Sequence, residues 1–385
     1  MTISIPILCR KYQHILILST IGLLIIIITI FGIPTSKITT SISITKKTAT
    51  GTPSRIEREF KLSIQTPSTS LYSTKEMIAH IEKELQLQID KDNFNPPEAL
   101  SQAYYITTST NSSIFFDIYF DTKDDTLFNN KALYRLRQRF KNQNIFASYL
   151  NDPLNTKSFP SRMEYQTKIN RTHIDAGLSE TEETRFEFRK ESTPFNENNL
   201  PPNQPWDITT YITYLQRGKF KQYHLLPSQK LMAYLQKKDP NIQKIALSPS
   251  VAVITERERI HLNVPSPWGS GPNPEQAFII SLDTFRVYDG KKYLQFLSQR
   301  KPFAPKLLGT SQEIEIEFER NTSTKLDTLI QKQTDQYEKN TFIKNQFLQN
   351  QQEIQEHITQ ALKSIKIDII PQNNSKYSQA HRFKK

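Results

Sequence analysis

The chain of 385 residues contains a single cysteine, Cys9, which precedes a long apolar segment near the N-terminus. The region expected to fold therefore has no disulfide, no thiolate metal ligand and no cysteine nucleophile. The seven histidines show neither HxxxH nor HxH spacing, so a zinc site is not expected either. Any bound metal would need carboxylate ligands, which favours Mg²⁺, Mn²⁺ or Ca²⁺.

Acidic residues are fewer than basic ones. The 38 Asp and Glu residues face 50 Lys and Arg residues, which gives a formal net charge of +12. This excess predicts an anionic partner. Nucleic acid, an anionic membrane surface and a polyphosphate would each satisfy it, and composition does not choose among them.

An uncharged apolar segment runs from Ile15 to Ile33, with basic residues before it and Pro34 after it. As a helix it would be about 28 Å long, close to the hydrocarbon thickness of a bilayer. This predicts a single-pass membrane anchor in residues 1–34, with residues 15–33 contacting the membrane. A cleaved signal peptide is the alternative, disfavoured because the segment is long and no A-x-A-like site follows it. Basic residues on both flanks leave the side of the soluble domain undetermined.

The rest of the chain divides by composition. Residues 35–54 are rich in Thr and Ser without periodicity, which predicts a solvated linker. A folded domain is expected over residues 55–370, followed by a C-terminal tail in residues 371–385. Apolar residues at helical spacing predict helices within 73–89, 228–238 and 325–365.

Charged residues alternate with apolar ones from the start of the predicted domain. Glu57, Glu59 and Lys61 are two residues apart, so in a strand all three project from one face. One such strand is typical of a solvated edge, but the pattern recurs. The further charged faces are Arg135/Arg137/Arg139, Gln166/Lys168, Arg185/Glu187/Arg189, Arg257/Arg259 and Glu313/Glu315/Glu317/Glu319.

The last of these faces favours an enclosed arrangement. Four carboxylates on one face of a strand repel one another unless cations neutralise them. The basic faces would supply part of that neutralisation and a metal ion the rest. We therefore expect an α+β protein in which an antiparallel barrel points its charged side inward and packs its apolar side against outer helices. Because buried charges must be paired or metal-bound, such an interior predicts a polyanionic ligand with a divalent metal.

Several segments occur in the order found in one known family. The chain resembles CYTH domains of the triphosphate tunnel metalloenzyme superfamily, through an ExExK segment (Glu57-x-Glu59-x-Lys61), a YFDT segment (residues 119–122) and an L-x-R-x-R strand (residues 133–137). Further matches are Lys168, Arg185-x-Glu187, Arg257-x-Arg259, Ser281-Leu282-Asp283 and Glu313-Ile314-Glu315. The resemblance extends from Arg55 to about Lys366.

This resemblance implies an eight-stranded antiparallel tunnel and metal-dependent hydrolysis of a triphosphate compound. It assigns phosphate binding to Lys61, Arg135, Arg137, Lys168, Arg185, Arg257 and Arg259. It assigns Mg²⁺ or Mn²⁺ binding to Glu57, Glu59, Glu187, Asp283, Glu313 and Glu315. The ExExK residues Glu57, Glu59 and Lys61 are the expected catalytic group.

The sequence also departs from the family pattern. Arg189 stands where the family has a carboxylate, which bears on a second metal or on nucleotide orientation. The extended acidic strand allows either Glu313/Glu315 or Glu315/Glu317 as the ligand pair. The segments ISLDT (residues 280–284) and Ser375-Lys376-Tyr377 are similar to the related polyphosphate polymerases.

Three alternatives remain beside the hydrolase. An adenylate cyclase or a polyphosphate polymerase would use the same fold. A non-catalytic polyphosphate- or nucleotide-binding module would explain the arginine at position 189. A nucleic-acid-binding protein ranks last, because Lys and Arg are interleaved with Glu on the same strands instead of forming a basic stripe with exposed aromatics.

Overall fold

The computed structural model describes residues 52–65, 73–90, 105–107, 112–153, 156–175, 177–189, 208–220, 225–264, 275–299, 301–318, 331, 335, 337–338 and 349–384. These residues belong to one compact unit, Ala49–Lys385. The predicted linker, residues 35–54, falls almost entirely outside the described residues.

The described residues form ten strands in one antiparallel sheet. In chain order these are β1 (Thr52–Ile64), β2 (Tyr105–Thr107), β3 (Ser113–Asp121), β4 (Leu133–Phe140), β5 (Arg162–Asp175), β6 (Leu178–Arg189), β7 (Ser248–Val264), β8 (Glu275–Asp289), β9 (Leu307–Phe318) and β10 (Ile369–Pro371).

Eight of these strands close into a barrel. They follow the order β1-β6-β5-β4-β3-β7-β8-β9, and β9 pairs back onto β1, with Lys61 opposite Glu315. The short strands lie outside this ring: β2 pairs with β7, and β10 pairs with the end of β1. The prediction of an eight-stranded antiparallel barrel is confirmed.

The alternation of side chains along each strand determines which residues face the barrel interior. On β3, Phe116, Ile118 and Phe120 are fully buried against the outer layer, whereas Phe115 and Tyr119 line the interior. Because successive side chains of a strand point to opposite faces, the same rule directs the charged residues of the neighbouring strands into the barrel.

Helices cover the outside of the barrel, as predicted. They are α1 (Thr74–Asp90), α2 (Thr126–Asn129), α3 (Gln143–Asn151), α4 (Ile208–Gln216), α5 (Leu226–Lys238), α6 (Lys291–Gln299), α7 (Gln349–Ser364) and α8 (Lys376–Arg382), with a 3₁₀ turn at Thr156–Ser158. The predicted helices at 73–89 and 228–238 correspond to α1 and α5. The third predicted helix, at 325–365, is described as α7, and most of its N-terminal half lies outside the described residues.

The first helix illustrates how local sequence fixes an outer element. Ser73 and Glu76 form a capping box, in which the Glu76 carboxylate accepts from the Ser73 backbone N–H at 2.6 Å. Met77, Ile81 and Leu85 follow at four-residue spacing and are fully buried. They pack with residues of α7 against the outward face of β1, β7, β8 and β9.

The C-terminal helix lies against one end of the barrel. Ser375 caps α8 by accepting from the Ser378 backbone N–H at 3.0 Å. The ring of Tyr377 stacks on Tyr119 of β3, with centroids 5.2 Å apart. The segment predicted as a tail, residues 371–385, thus contains a helix that packs on the barrel.

The predicted membrane anchor needs correction. Residues 1–34, including the apolar segment 15–33, fall outside the described residues. Across the part of the chain that the structure describes, every helix is too short or too polar to cross a bilayer. This finding contradicts the predicted single-pass membrane localisation and membrane contact, and neither is carried further.

Candidate active site in the barrel interior

The barrel encloses a cavity of about 270 Å³. Eleven of the thirteen predicted site residues line it: Glu57, Glu59, Lys61, Arg135, Arg137, Lys168, Arg185, Glu187, Arg257, Arg259 and Glu315. The other two, Asp283 and Glu313, are fully buried and contact residues of the cavity wall. The structure therefore brings all thirteen together.

Three carboxylates converge on the part of the cavity nearest α8. Asp283, Glu313 and Glu315 place one oxygen each within 4.8 Å of one another, and all three are buried. We call them the acidic triad. Lys61 donates to Glu315 at 2.5 Å. Arg257 donates to both oxygens of Asp283 at 2.5 Å and also contacts Glu315.

The charges of the triad depend on these cations. Burial opposes ionisation of Glu315, but Lys376 and Lys61 outweigh it and hold its pKa well below the usual range. For Glu313, burial prevails over the same two lysines and raises the pKa. Burial also disfavours the ammonium form of Lys61, but Glu313, Glu315 and Glu59 raise its pKa above that of a free lysine. Neighbouring carboxylates thus differ in their affinity for a proton.

A second cluster centres on Glu183 of β6, which is fully buried. Its carboxylate accepts from Arg55 at 2.6 Å and from Arg185 at 2.9 Å. Lys168 lies 3.8 Å from Glu183 and contacts Glu57 more closely. Burial works against the charged form of Glu183, yet these cations lower its pKa well below the usual value.

The ExExK carboxylates share the cations of both clusters. Lys61 lies 3.4 Å from Glu59, and Lys168 lies 3.9 Å from it. Although burial favours the protonated form, Lys168 and Lys61 lower the pKa of Glu59 to about 2. Glu59 is therefore ionised at neutral pH and available as a ligand or as a hydrogen-bond acceptor for water.

Asp117 anchors two of the predicted phosphate-binding arginines. It is fully buried on β3 and accepts from Arg135 at 3.1 Å and from Arg137 at 2.7 Å. Arg135 also donates to the Tyr119 hydroxyl at 3.0 Å. Burial opposes ionisation of Asp117, but Arg137 and Arg135 hold its pKa below the usual value. The Asp117 carboxylate therefore holds both guanidinium groups in place in the barrel interior.

Four arginines surround the ring of Phe115. Arg137, Arg257, Arg259 and Arg139 place their guanidinium carbons 4.5, 5.6, 5.8 and 5.9 Å from the ring centroid. Burial and the neighbouring Arg257 lower the pKa of Arg259 to about 10. Such a lowered pKa indicates uncompensated positive charge, which an anion would relieve.

The two ends of the cavity differ in solvent exposure. The side chains of Arg55 and Arg162 are 23% and 29% exposed, and with Arg139 and Arg259 they define what we call the arginine mouth. Lys376 is only 5% exposed, and Asp283 is fully buried. A ligand would therefore meet arginines first and the acidic triad last.

Several cavity residues were not selected from the sequence. They are Arg55, Asp117, Glu164, Arg171, Glu183 and Lys376, together with Arg139 and Glu317. Glu183 shares a strand face with Arg185, but the other acidic residues around it break the charged–apolar alternation. Asp117 is the one charged residue in the otherwise apolar segment FFDIYF. The side chain of Arg189 lies outside the described part of the structure.

The donor chemistry of the acidic triad fits a divalent cation. Buried carboxylate oxygens at this separation suit Mg²⁺ or Mn²⁺, which prefer oxygen ligands. Of the six predicted metal ligands, Asp283, Glu313 and Glu315 form this group. The other three lie outside this group: Glu57 pairs with Lys168, Glu59 with Lys61, and Glu187 with Arg162 at 2.6 Å near the mouth.

No family model and no curated protein matches the chain. Solved structures with a similar arrangement include HpAC1, a candidate adenylyl cyclase from Hippeastrum with a dominant triphosphatase activity. It is 14% identical over 86% of this chain and 96% of its own, with a TM-score of 0.35. A candidate adenylate cyclase from Bacillus halodurans is 14% identical over 84% and 96%, with a TM-score of 0.32.

The RNA triphosphatase Pct1 of S. pombe is 11% identical over 78% of this chain and 84% of its own, with a TM-score of 0.27. These identities and scores assign no activity to the chain. The eight-stranded antiparallel barrel and its charged interior, however, confirm the resemblance to CYTH domains that the sequence indicated. The activity has to be argued from the cavity itself.

Proposed function

We propose that the chain is a metal-dependent hydrolase that cleaves a triphosphate compound, either inorganic tripolyphosphate or an organic triphosphate. One observation carries the proposal: a single enclosed cavity is lined by twelve Lys and Arg residues and seven Glu residues. Enclosed charge of both signs suits a ligand that is itself a polyanion accompanied by a divalent cation.

In this proposal Lys61, Arg135, Arg137, Lys168, Arg185, Arg257 and Arg259 bind the phosphates. Guanidinium groups give paired, charge-assisted hydrogen bonds to phosphoryl oxygens. Asp117 and Glu183 keep their arginines in fixed positions before the substrate arrives. Such preorganised cations stabilise charge that spreads onto the transferred phosphoryl group.

Asp283, Glu313 and Glu315 would hold Mg²⁺ or Mn²⁺, which neutralises phosphate charge and polarises the bond to be cleaved. Glu57 and Glu59 are proposed to orient the attacking water by accepting its hydrogen bonds. The pKa of Glu59, lowered to about 2, keeps it ionised for that role. The remaining predicted ligand, Glu187, pairs with Arg162 at the arginine mouth and is not assigned to this metal ion.

The test is phosphate release by the full chain from tripolyphosphate, thiamine triphosphate and ATP, with Mg²⁺, Mn²⁺ or Ca²⁺. Tripolyphosphate should be cleaved with Mg²⁺ or Mn²⁺, and a chelator should abolish the reaction. Glu57→Gln and Glu315→Gln should lose activity, whereas the exposed Glu356→Gln should keep it.

Chromatography of the products separates hydrolysis from the other chemistries. A cyclic nucleotide with pyrophosphate would identify a cyclase, and growing chains would identify a polymerase. Tight triphosphate binding without any product would identify a binding module. Full turnover in chelator, or unchanged activity of both Gln variants, would overturn the proposed metal dependence.

A further inference from the structure

A lysine from the C-terminal helix lies inside the acidic triad. The Lys376 ammonium is 2.5 Å from an Asp283 oxygen and 2.7 Å from a Glu315 oxygen, and it contacts Glu313 more closely still. The side chain is 5% exposed. One ammonium thus contacts all three carboxylates that could hold a divalent ion.

Lys376 is held there by a helix with several attachments to the barrel. Gln379 donates to Glu313 at 2.7 Å, so a second α8 side chain reaches the triad. Tyr377 donates to Asp121 at the end of β3. The ring of His381 stacks on Phe128, with centroids 4.0 Å apart, and its Nε2 lies 3.0 Å from Asp125.

The triad oxygens already accept from several cations, since Lys61 and Lys376 share Glu315, and Arg257 and Lys376 share Asp283. A divalent ion coordinated by Asp283, Glu313 and Glu315 would lie within a few ångströms of the Lys376 ammonium, in a buried setting where like charges repel strongly. Metal coordination would also take up lone pairs that these oxygens now offer to the ammonium. A divalent ion and the Lys376 ammonium would therefore oppose each other's binding at the triad.

We propose that Lys376 is an internal cation that competes with the divalent metal for the acidic triad, so that Lys376 sets the metal affinity of the site. Metal binding expels the ammonium from the triad and loosens the seating of α8. In the absence of metal, Lys376 neutralises the triad and keeps the barrel end closed. The proposal rests on the metal assignment of the proposed function but not on its substrate.

The proposed competition predicts the direction in which metal affinity changes when Lys376 is replaced, and this change can be measured without enzymatic turnover. Removing the positive charge at position 376 should strengthen metal binding, because the metal no longer displaces an ammonium from the same oxygens. Lys376→Gln should therefore bind Mn²⁺ about tenfold more tightly than the parent chain. Lys376→Arg, which keeps the charge, should remain close to the parent.

The experiment is a calorimetric titration of Mn²⁺ into the full chain, its Lys376→Gln and Lys376→Arg variants, and Lys363→Gln as an exposed lysine control on α7. Hydrogen exchange of residues 376–382 is measured on the unmodified chain with and without Mn²⁺, and it should become faster with Mn²⁺. This second measurement keeps the proposal testable should Lys376→Gln fold poorly.

The outcomes distinguish failure of the proposed competition from failure of the metal site. Equal or weaker Mn²⁺ binding by Lys376→Gln, or α8 exchange that Mn²⁺ slows or leaves unchanged, would overturn the competition while leaving the metal site in place. Absence of Mn²⁺ binding by every variant would overturn the metal site itself. Tighter binding by Lys376→Gln with unchanged Lys363→Gln supports the competition.

Discussion

Lys61 on β1 donates to Glu315 on β9 across 2.5 Å, at the seam where the first and last strands of the barrel meet. The pair links residues 254 positions apart in the chain. The pairing of β1 with β9 closes the barrel, and this hydrogen bond crosses the seam between two residues that line the cavity.

Replacing Lys61 should therefore affect both stability and activity. Lys61→Met leaves Glu315 buried with fewer cations, and removal of one partner of a buried pair costs about 3–5 kcal/mol of unfolding free energy. It should also lower kcat with tripolyphosphate by at least about 100-fold, since a preorganised cation is lost. Denaturant unfolding and phosphate release measure the two effects. The exposed Lys75→Met serves as control, and full activity of Lys61→Met would remove Lys61 from the site.

Arg137 offers a test of phosphate binding. Arg137→Gln should lower kcat/KM by about 10²–10³-fold, because a charge-assisted contact is replaced by a neutral one. Arg217→Gln, at an exposed position beyond α4, should leave it unchanged. Steady-state kinetics at varied tripolyphosphate concentration gives kcat/KM for each variant. Equal kinetics of the two variants would place Arg137 outside the binding site.

Asp117 gives a pH-dependent prediction for stability. Burial opposes its ionisation, but Arg137 and Arg135 lower its pKa from the usual 3.8. A carboxylate with a lowered folded-state pKa stabilises the fold fully above its unfolded-state pKa, and this contribution is lost as pH falls through the folded-state pKa. Asp117→Asn should therefore cost about 3–5 kcal/mol at pH 7.

The same difference should shrink below about pH 4. Urea unfolding of both chains between pH 7 and pH 3 measures it, as long as both remain folded at the lower limit. A difference that stays constant or grows on acidification would contradict the ion pairing of Asp117. Asp239→Asn, at the exposed end of α5, should show no comparable pH dependence.

Gly309 on β9 leaves room for the ring of Phe383, which follows α8. A Cβ at this position would clash with the ring of Phe383. Gly309→Ala should therefore displace Phe383 and cost about 1–3 kcal/mol through overpacking. Hydrogen exchange of residues 376–382 should increase without added metal. Unchanged exchange in Gly309→Ala would show that Phe383 does not anchor the helix.

Much of the barrel could be predicted because its signal is local. Alternation of charged and apolar residues assigns each strand two faces, as for Glu57, Glu59 and Lys61, and this holds whatever the neighbouring strand is. The acidic strand could be assigned to the interior because Glu313 and Glu315 would repel each other in isolation. The prediction failed where the pattern was broken, as in the acidic run that hides Glu183.

Other features depend on contacts that no local pattern encodes. Asp117 lies in an apolar strand, and its role arises only because β4 places Arg135 and Arg137 beside it. Lys376 lies in a segment expected to be a tail, and it reaches the triad only because α8 packs over the end of the barrel. The similarity of Ser375-Lys376-Tyr377 to polyphosphate polymerases marked this segment but not its contact with the triad, so pairing of this kind has to be observed.

In the proposed function, the charged faces of the barrel strands enclose one site for a triphosphate and a divalent metal. The most direct measurement is anomalous diffraction from crystals of the Glu57→Gln chain grown with Mn²⁺ and tripolyphosphate. We expect a manganese peak coordinated by Asp283, Glu313 and Glu315, with Lys376 withdrawn and phosphate oxygens on Arg137 and Arg257. Manganese and tripolyphosphate bound on the outer surface, with Lys376 still in the triad, would contradict it.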